Sequence, residues 1–129
     1  MARVVRAGEG KRIGLPGRVS YEIFSAAEGA RGVTLRRVEI PIAREGDAPR
    51  AKHRHDRFEE CIHVLSGRGV TSCDSGEIEL RAGDTVLMPP GELHATRNTG
   101  DEPLVLLCFF PVADIRPGTQ EPSSPGDSR

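Results

Sequence analysis

Tryptophan is absent from this chain of 129 residues, tyrosine occurs once and phenylalanine four times. Proteins that stack single-stranded nucleic acid on aromatic platforms want more rings than that. Neither sign of charge is in excess. Eighteen Lys and Arg face nineteen Asp and Glu, a formal net charge of −1. That balance argues against general nucleic-acid affinity, which needs surplus cations to displace counterions from phosphates. No apolar run approaches the roughly 20 residues that span a bilayer, so no membrane partner is expected. The first residues, MARVVRAGEGKRIG, lack the apolar core of a signal peptide. The three cysteines, Cys61, Cys73 and Cys108, form no Cys-x-x-Cys pair and no even framework. They read as small buried residues in a reducing cytoplasm.

A long amphipathic helix period is missing too. Fifteen Gly and ten Pro cut the chain into short pieces. The pieces have β character: Val19–Phe24, Val33–Ile42, Cys61–Leu65, Gly69–Cys73, Ile78–Leu80, Thr85–Met88 and Leu104–Phe110. Turn signals separate them, including Ser66-Gly67, Asp74-Ser75-Gly76, Ala82-Gly83-Asp84 and Pro89-Pro90-Gly91. Many short strands at close spacing predict an all-β sandwich or barrel. At this length one domain is expected. Residues 1–18 read as an N-terminal arm or edge strand and 19–116 as the folded body. Residues 117–129, polar and rich in Pro and Ser, read as a flexible C-terminal tail.

Histidine is scarce, with four in the chain, and three of the four fall in two informative clusters. In the first, His53-Arg54-His55-Asp56-Arg57-Phe58-Glu59-Glu60, an extended backbone puts His53 and His55 on one face. After a bend, a carboxylate from Glu59 or Glu60 arrives beside them. A strand from Glu60 carries Ile62 and Val64 on the same inward face, and sends Cys61 and His63 outward. The second cluster runs from Gly83 through Pro89-Pro90-Gly91 to His94. Imidazoles and one carboxylate converging in a pocket suit a divalent transition ion. Alone, a His-x-His pair is a chance occurrence and His94 an ordinary core residue. Together in a His-poor chain they point to a metal centre. The pocket walls expected by parity are Ile62, Val64, Val86, Met88 and Phe110. Arg57, with Arg36 or Arg37 and Arg97, is a candidate for the mouth.

The spacing of both clusters resembles the two motifs of the cupin superfamily. The second fits in full: Gly83, five residues, Pro89, one residue, Gly91, two residues, His94, three residues, Asn98. The first fits from its His pair onward: His53-x-His55, four residues, Glu60, six residues, Gly67. One position departs. The family's Gly six places before the first His is Asp47 here, with Gly46 one earlier, so a small insertion in that loop is expected. The resemblance implies a cupin-type jelly-roll β-barrel with His53, His55, Glu60 and His94 as ligands of one divalent metal (Fe, Zn, Mn or Ni). It implies turn roles for Gly67, Gly83 and Gly91, and a structural role for Asn98. It also implies a homodimer, with the Val4-Val5 arm suited to pairing with the partner. The wording of Phe58–Gly67 and of Pro89–Asn98 is similar to single-domain cupins of aromatic polyketide cyclisation and to small cupin dioxygenases. The function so implied is metal-dependent chemistry on a small oxygen-rich substrate, or, as the alternative, a binding or sensing module that holds such a molecule without turnover.

Overall fold

A computed structural model describes residues 1–122. Its eleven strands are β1 (Lys11–Leu15), β2 (Arg18–Phe24), β3 (Thr34–Ile40), β4 (Arg54–His55), β5 (Glu60–Ser66), β6 (Arg68–Cys73), β7 (Gly76–Arg81), β8 (Thr85–Met88), β9 (His94–Asn98), β10 (Leu104–Phe110) and β11 (Thr119–Gln120). A six-stranded sheet runs β1-β2-β3-β10-β5-β8, a three-stranded sheet runs β7-β6-β9, and β4 pairs with β11. Every pairing is antiparallel. This is the expected all-β, jelly-roll type of architecture.

Alternation builds the interior. On β5 the burial of Glu60, Ile62 and Val64 alternates with the more open Cys61, His63 and Leu65. Ile62, Val64, Leu104, Leu106, Cys108 and Phe110 join Ile40, Phe58, Leu80 and Ile115 in one core cluster. Fully burying such a side chain contributes about 1.5–3 kcal/mol. β3 ends at Ile40, short of the expected Ile42, because Pro41 has no N–H to offer the ladder.

The corners work as the turn residues suggest. Asp74-Ser75 close the β6–β7 hairpin, in which Cys73 pairs with Gly76. At Arg81–Asp84 the Asp84 carboxylate accepts from Arg81 N at 2.8 Å, and Gly83 takes φ 94°. Gly67 has no alternative. Its φ is 83°, and a Cβ there would stand 2.6 Å from the Pro103 carbonyl oxygen.

Two terminal segments are more ordered than composition suggests. β1 is the edge strand of the large sheet. At the other end, the expectation of a tail from residue 117 is corrected. Arg116–Gly118 form a 3-10 turn, and Thr119–Gln120 pair with His55 and Arg54. Asp56 N donates to Gly118 O at 2.9 Å, and Gly118 packs so closely on Phe58 that a Cβ would meet Cε2 at 2.6 Å. The rest of the expected tail, 123–129, lies outside the described residues.

Asn98 ties the two larger sheets together. Its buried amide donates to Ile40 O at 3.1 Å and to Glu102 O at 2.8 Å, and its Oδ1 accepts from Gly100 N at 2.8 Å. Asn98→Ala removes the side-chain partner of one buried and two part-buried backbone groups. It is expected to cost about 2–3 kcal/mol and lower Tm by roughly 10 °C in a thermal melt. An unchanged melt would show that the tie is redundant.

Candidate metal centre

Four side chains from three segments meet inside the barrel. His53 precedes β4, His55 lies on it, Glu60 opens β5 and His94 opens β9. His53 and His94 exchange backbone hydrogen bonds, N to O, at 3.0 and 2.8 Å, which draws the segment before β4 onto the small sheet. His55, Glu60 and His94 are buried and His53 is half-buried. One ligand atom from each lies within 4.8 Å of all the others. A single ion about 2.1 Å from each donor requires adjacent donors about 3 Å apart and opposite ones about 4.2 Å apart. The cluster is of that size, and these four residues could hold a metal ion.

The hydrogen bonds beyond the cluster decide which way the imidazoles face. His94 Nδ1 is 2.9 Å from the Glu92 carbonyl. A carbonyl only accepts, so Nδ1 carries the proton. His55 Nδ1 is 2.9 Å from Thr119 Oγ1, whose own proton goes to Ile115 O at 2.6 Å. Nδ1 of His55 is therefore a donor as well. In the neutral rings both Nε2 lone pairs then point at Glu60 Oε1, at 3.2 and 3.1 Å. Three acceptors facing one another in a dry interior need positive charge between them, as protons or as a cation. The donor set thus fits a divalent ion, with outer partners that fix tautomer and ring orientation.

Protonation is tuned the same way. Burial pushes the Glu60 carboxyl up; only with a proton on Nε2 of His55 and His94 do their hydrogen bonds and charge outweigh burial and hold it at about 2. Burial, with the His94 charge second, lowers His53 to about 3. At neutral pH His53 is an uncharged ring, the form that binds metals.

The other expected site residues are placed differently. Ile62, Val64 and Phe110 belong to the core cluster, Val86 packs against it and Met88 is buried. Of these, Phe110 backs directly onto the centre, its ring 5.0 Å from that of His55 and 5.9 Å from the Phe58 ring, which stacks on His55 at 5.1 Å. Arg57 stands in solvent beside Asp56, its side chain 76% exposed. Arg37 and Arg97 pair with Glu39 and Glu77 on the outside. Glu59 is exposed, and His63 bonds Thr85 Oγ1 at 2.7 Å, apart from the cluster. Sequence reasoning missed Thr119 and Arg50. Thr119 lies in a stretch whose composition reads as tail. Arg50 reads as one more loop charge.

The cupin-domain family model matches residues 40–110, over half of the chain, and the chain belongs to that family. Among curated proteins it is 39% identical over 56 residues to an uncharacterised protein of Methanocaldococcus jannaschii, covering 43% of this chain and 45% of the relative. It is 31% identical over 58 residues to the oxalate-binding protein of Thermotoga maritima, covering 45% and 48%. These matches span about half the length of the curated relatives. Among solved structures, the polyketide cyclase RemF of Streptomyces resistomycificus superposes with a TM-score of 0.75 at 21% identity, over 98% of this chain and 89% of that one. At that identity the likeness is one of fold.

His53→Ala or His94→Ala is expected to strip most of the metal from purified protein, read by elemental analysis, while His63→Ala keeps it. Thr119→Val, or truncation after Arg116, is expected to weaken metal binding roughly 10–100-fold, with Thr119→Ser restoring it. Equal metal loss in His63→Ala would refute the ligand set, and an unaffected Thr119→Val would refute the role of the C-terminal segment.

Proposed function

We propose that this protein is a metal-dependent enzyme acting on a small, oxygen-rich organic molecule such as an enol, phenol or diketone. His53, His55, Glu60 and His94 are its metal ligands, for one ion of Fe, Zn, Mn or Ni. The observation that carries this reading is the convergence of three lone-pair donors, with His53 beside them, around one buried point. When bound, the ion supplies Lewis acidity toward neighbouring substrate oxygens and, if it is iron, redox chemistry with O2. Three neutral rings and one carboxylate leave a divalent centre near +1, and leave about two of six positions open. His53, the half-buried member, marks the side from which a substrate reaches the donors. Phe58 and Phe110 close the far side against water.

Two narrower versions follow different metals. Iron with O2 consumption on catechols or diketones supports a dioxygenase. Zinc with ring closure of a polyketide supports the cyclase reading, toward which the wording of Phe58–Gly67 leans. The second reading, binding without turnover, is favoured by the likeness to an oxalate-binding protein. Elemental analysis followed by turnover assays on these substrates decides. The expected outcome is about one metal per chain and product formation that stops on chelation. Metal-dependent binding with no product from any of them would leave the binding module standing, and protein without metal would sink both.

We also propose that two copies pair through the outer face of the large sheet, in the cytoplasm, where three free cysteines stay reduced. The support is a cross-strand row, Leu35–Phe109–Cys61–Leu87, read directly from the register. Leu87 is 55% and Phe109 38% exposed, more apolar surface than water favours in one row. Light scattering on the eluted protein is expected to give twice the chain mass. Leu87→Glu with Phe109→Glu is expected to give the monomer; a wild-type monomer would remove the proposal.

A further inference from the structure

The arginines divide into two kinds. Arg36, Arg97 and Arg116 are satisfied by carboxylates, Arg36 through Nε and Nη2 to Glu22 Oε1 at 3.1 and 2.8 Å. Arg50 is different. It lies three residues before His53, with its stem over the Pro16-Gly17 turn, where a Cβ on Gly17 would come within 3.5 Å of Arg50 Cγ. Its Nη1 donates to Thr96 O at 3.1 Å. Among the described residues, neither its Nε nor its Nη2 meets an acceptor, and Nε is fully buried. Those two N–H groups form the parallel edge of a guanidinium, the edge that grips both oxygens of a carboxylate.

A second orphan lies on β2. Ser20 is 1% exposed and its Oγ has no partner. Alternation places Arg18 on the same face of the strand as Ser20. The position relative to the metal donors comes from Thr96, whose carbonyl Arg50 Nη1 holds: it lies two residues along β9 from His94, and Arg50 itself stands three residues before His53. Burial, and after it the Arg18 charge, lowers Arg50 to about 10, the expected strain of cations gathered where water is scarce. Glu60 and Glu121 are near enough to act on Arg50, yet neither accepts a hydrogen bond from it. A structural arginine would have its donors filled. Two unfilled guanidinium donors, on a side chain held between the Pro16-Gly17 turn and β9, describe a seat for an anion.

We propose that the space beside the metal donors is a carboxylate-binding site, in which Arg50 grips the anionic end of a small ligand, Arg18 assists, and the ligand's other oxygens face His53, Glu60 and their partners. The placement of those other oxygens rests on the metal-dependent reading above; the grip of Arg50 does not. The substrate class narrows from oxygen-rich molecules to small carboxylic acids with a second oxygen function, such as dicarboxylates and 2-oxo or 2-hydroxy acids.

Calorimetric titration of the metal-loaded protein with oxalate, and with oxamide as its neutral isostere, tests this. Oxalate is expected to bind at least tenfold more tightly than oxamide. Arg50→Met is expected to lose oxalate affinity roughly 10–100-fold at a metal content and Tm no lower than those of the wild type, with Arg50→Lys recovering part of it. Wild-type affinity in Arg50→Met, equal affinity for oxalate and oxamide, or no oxalate binding would each overturn the proposal. If Arg50→Met does not fold, the oxalate-to-oxamide ratio on the wild type decides. Acetate titrated into chelator-treated protein reads the arginine seat without the metal. Acetate binding that Arg50→Met abolishes supports the seat even if the metal-dependent reading fails, and no acetate binding overturns it.

Discussion

Glu60 Oε1 facing two imidazole lone pairs at about 3 Å is the constraint around which the molecule is arranged. Left alone in a dry interior, that contact is repulsive in the neutral-ring state. It persists because each imidazole is held from behind, His94 by the Glu92 carbonyl and His55 by Thr119. Neither ring can turn its N–H inward without abandoning a satisfied hydrogen bond. The fold therefore stores an electrostatic demand at one point, which a cation would answer. Chemistry at such a point depends on positioning, so everything that fixes the rings is part of the site.

The sheets supply that rigidity from unrelated parts of the chain. Glu60 belongs to the large sheet, His94 to the small one, and the His53–His94 bridge with β4 closes the gap between them. The Asn98 tie holds the same two sheets at the other end of β9. A sheet edge would normally be a liability for pairing with foreign strands. Here the edge residue His55 is covered by β11, so that the strand that seals the edge also delivers the hydroxyl that orients the His55 ring.

Much of this was legible in residue order, for physical reasons. Period-two alternation with Gly and Pro punctuation placed Thr85–Met88 and Leu104–Phe110 at their observed bounds, and Glu60, Ile62 and Val64 on the inner face. The resemblance of the two His clusters to the cupin motifs implies the four side chains that converge; the clusters alone leave Glu59 and Glu60 as equal candidates. Alternation says inward, however, and does not say whether inward means core or cavity. Ile62 and Val64 are core, while the buried polar side chains include Ser20, Thr71 and Thr96, with Arg18 and Arg50 half-buried. The C-terminal segment failed for another reason. Its composition is that of a solvated tail, and its order comes from Gly118 fitting against Phe58 and from Thr119 meeting His55. Those are long-range contacts that no local window contains.

The two orphaned donors bear on why the interior is built this way at all. An apolar wall would stabilise the barrel more than buried guanidinium and hydroxyl groups do, and replacing Arg50 by a hydrophobic side chain would remove an uncompensated desolvation. Stability alone does not account for Arg50. Its charge also lowers the affinity of the neighbouring centre for a cation, since Arg50 acts against protonation of His53. Two features that oppose each other in the empty site become mutually supportive once an anion lies between them, because a carboxylate attracts both a guanidinium and a divalent ion. By that coupling the metal donors and Arg50 would act as one site for a ligand that carries negative charge.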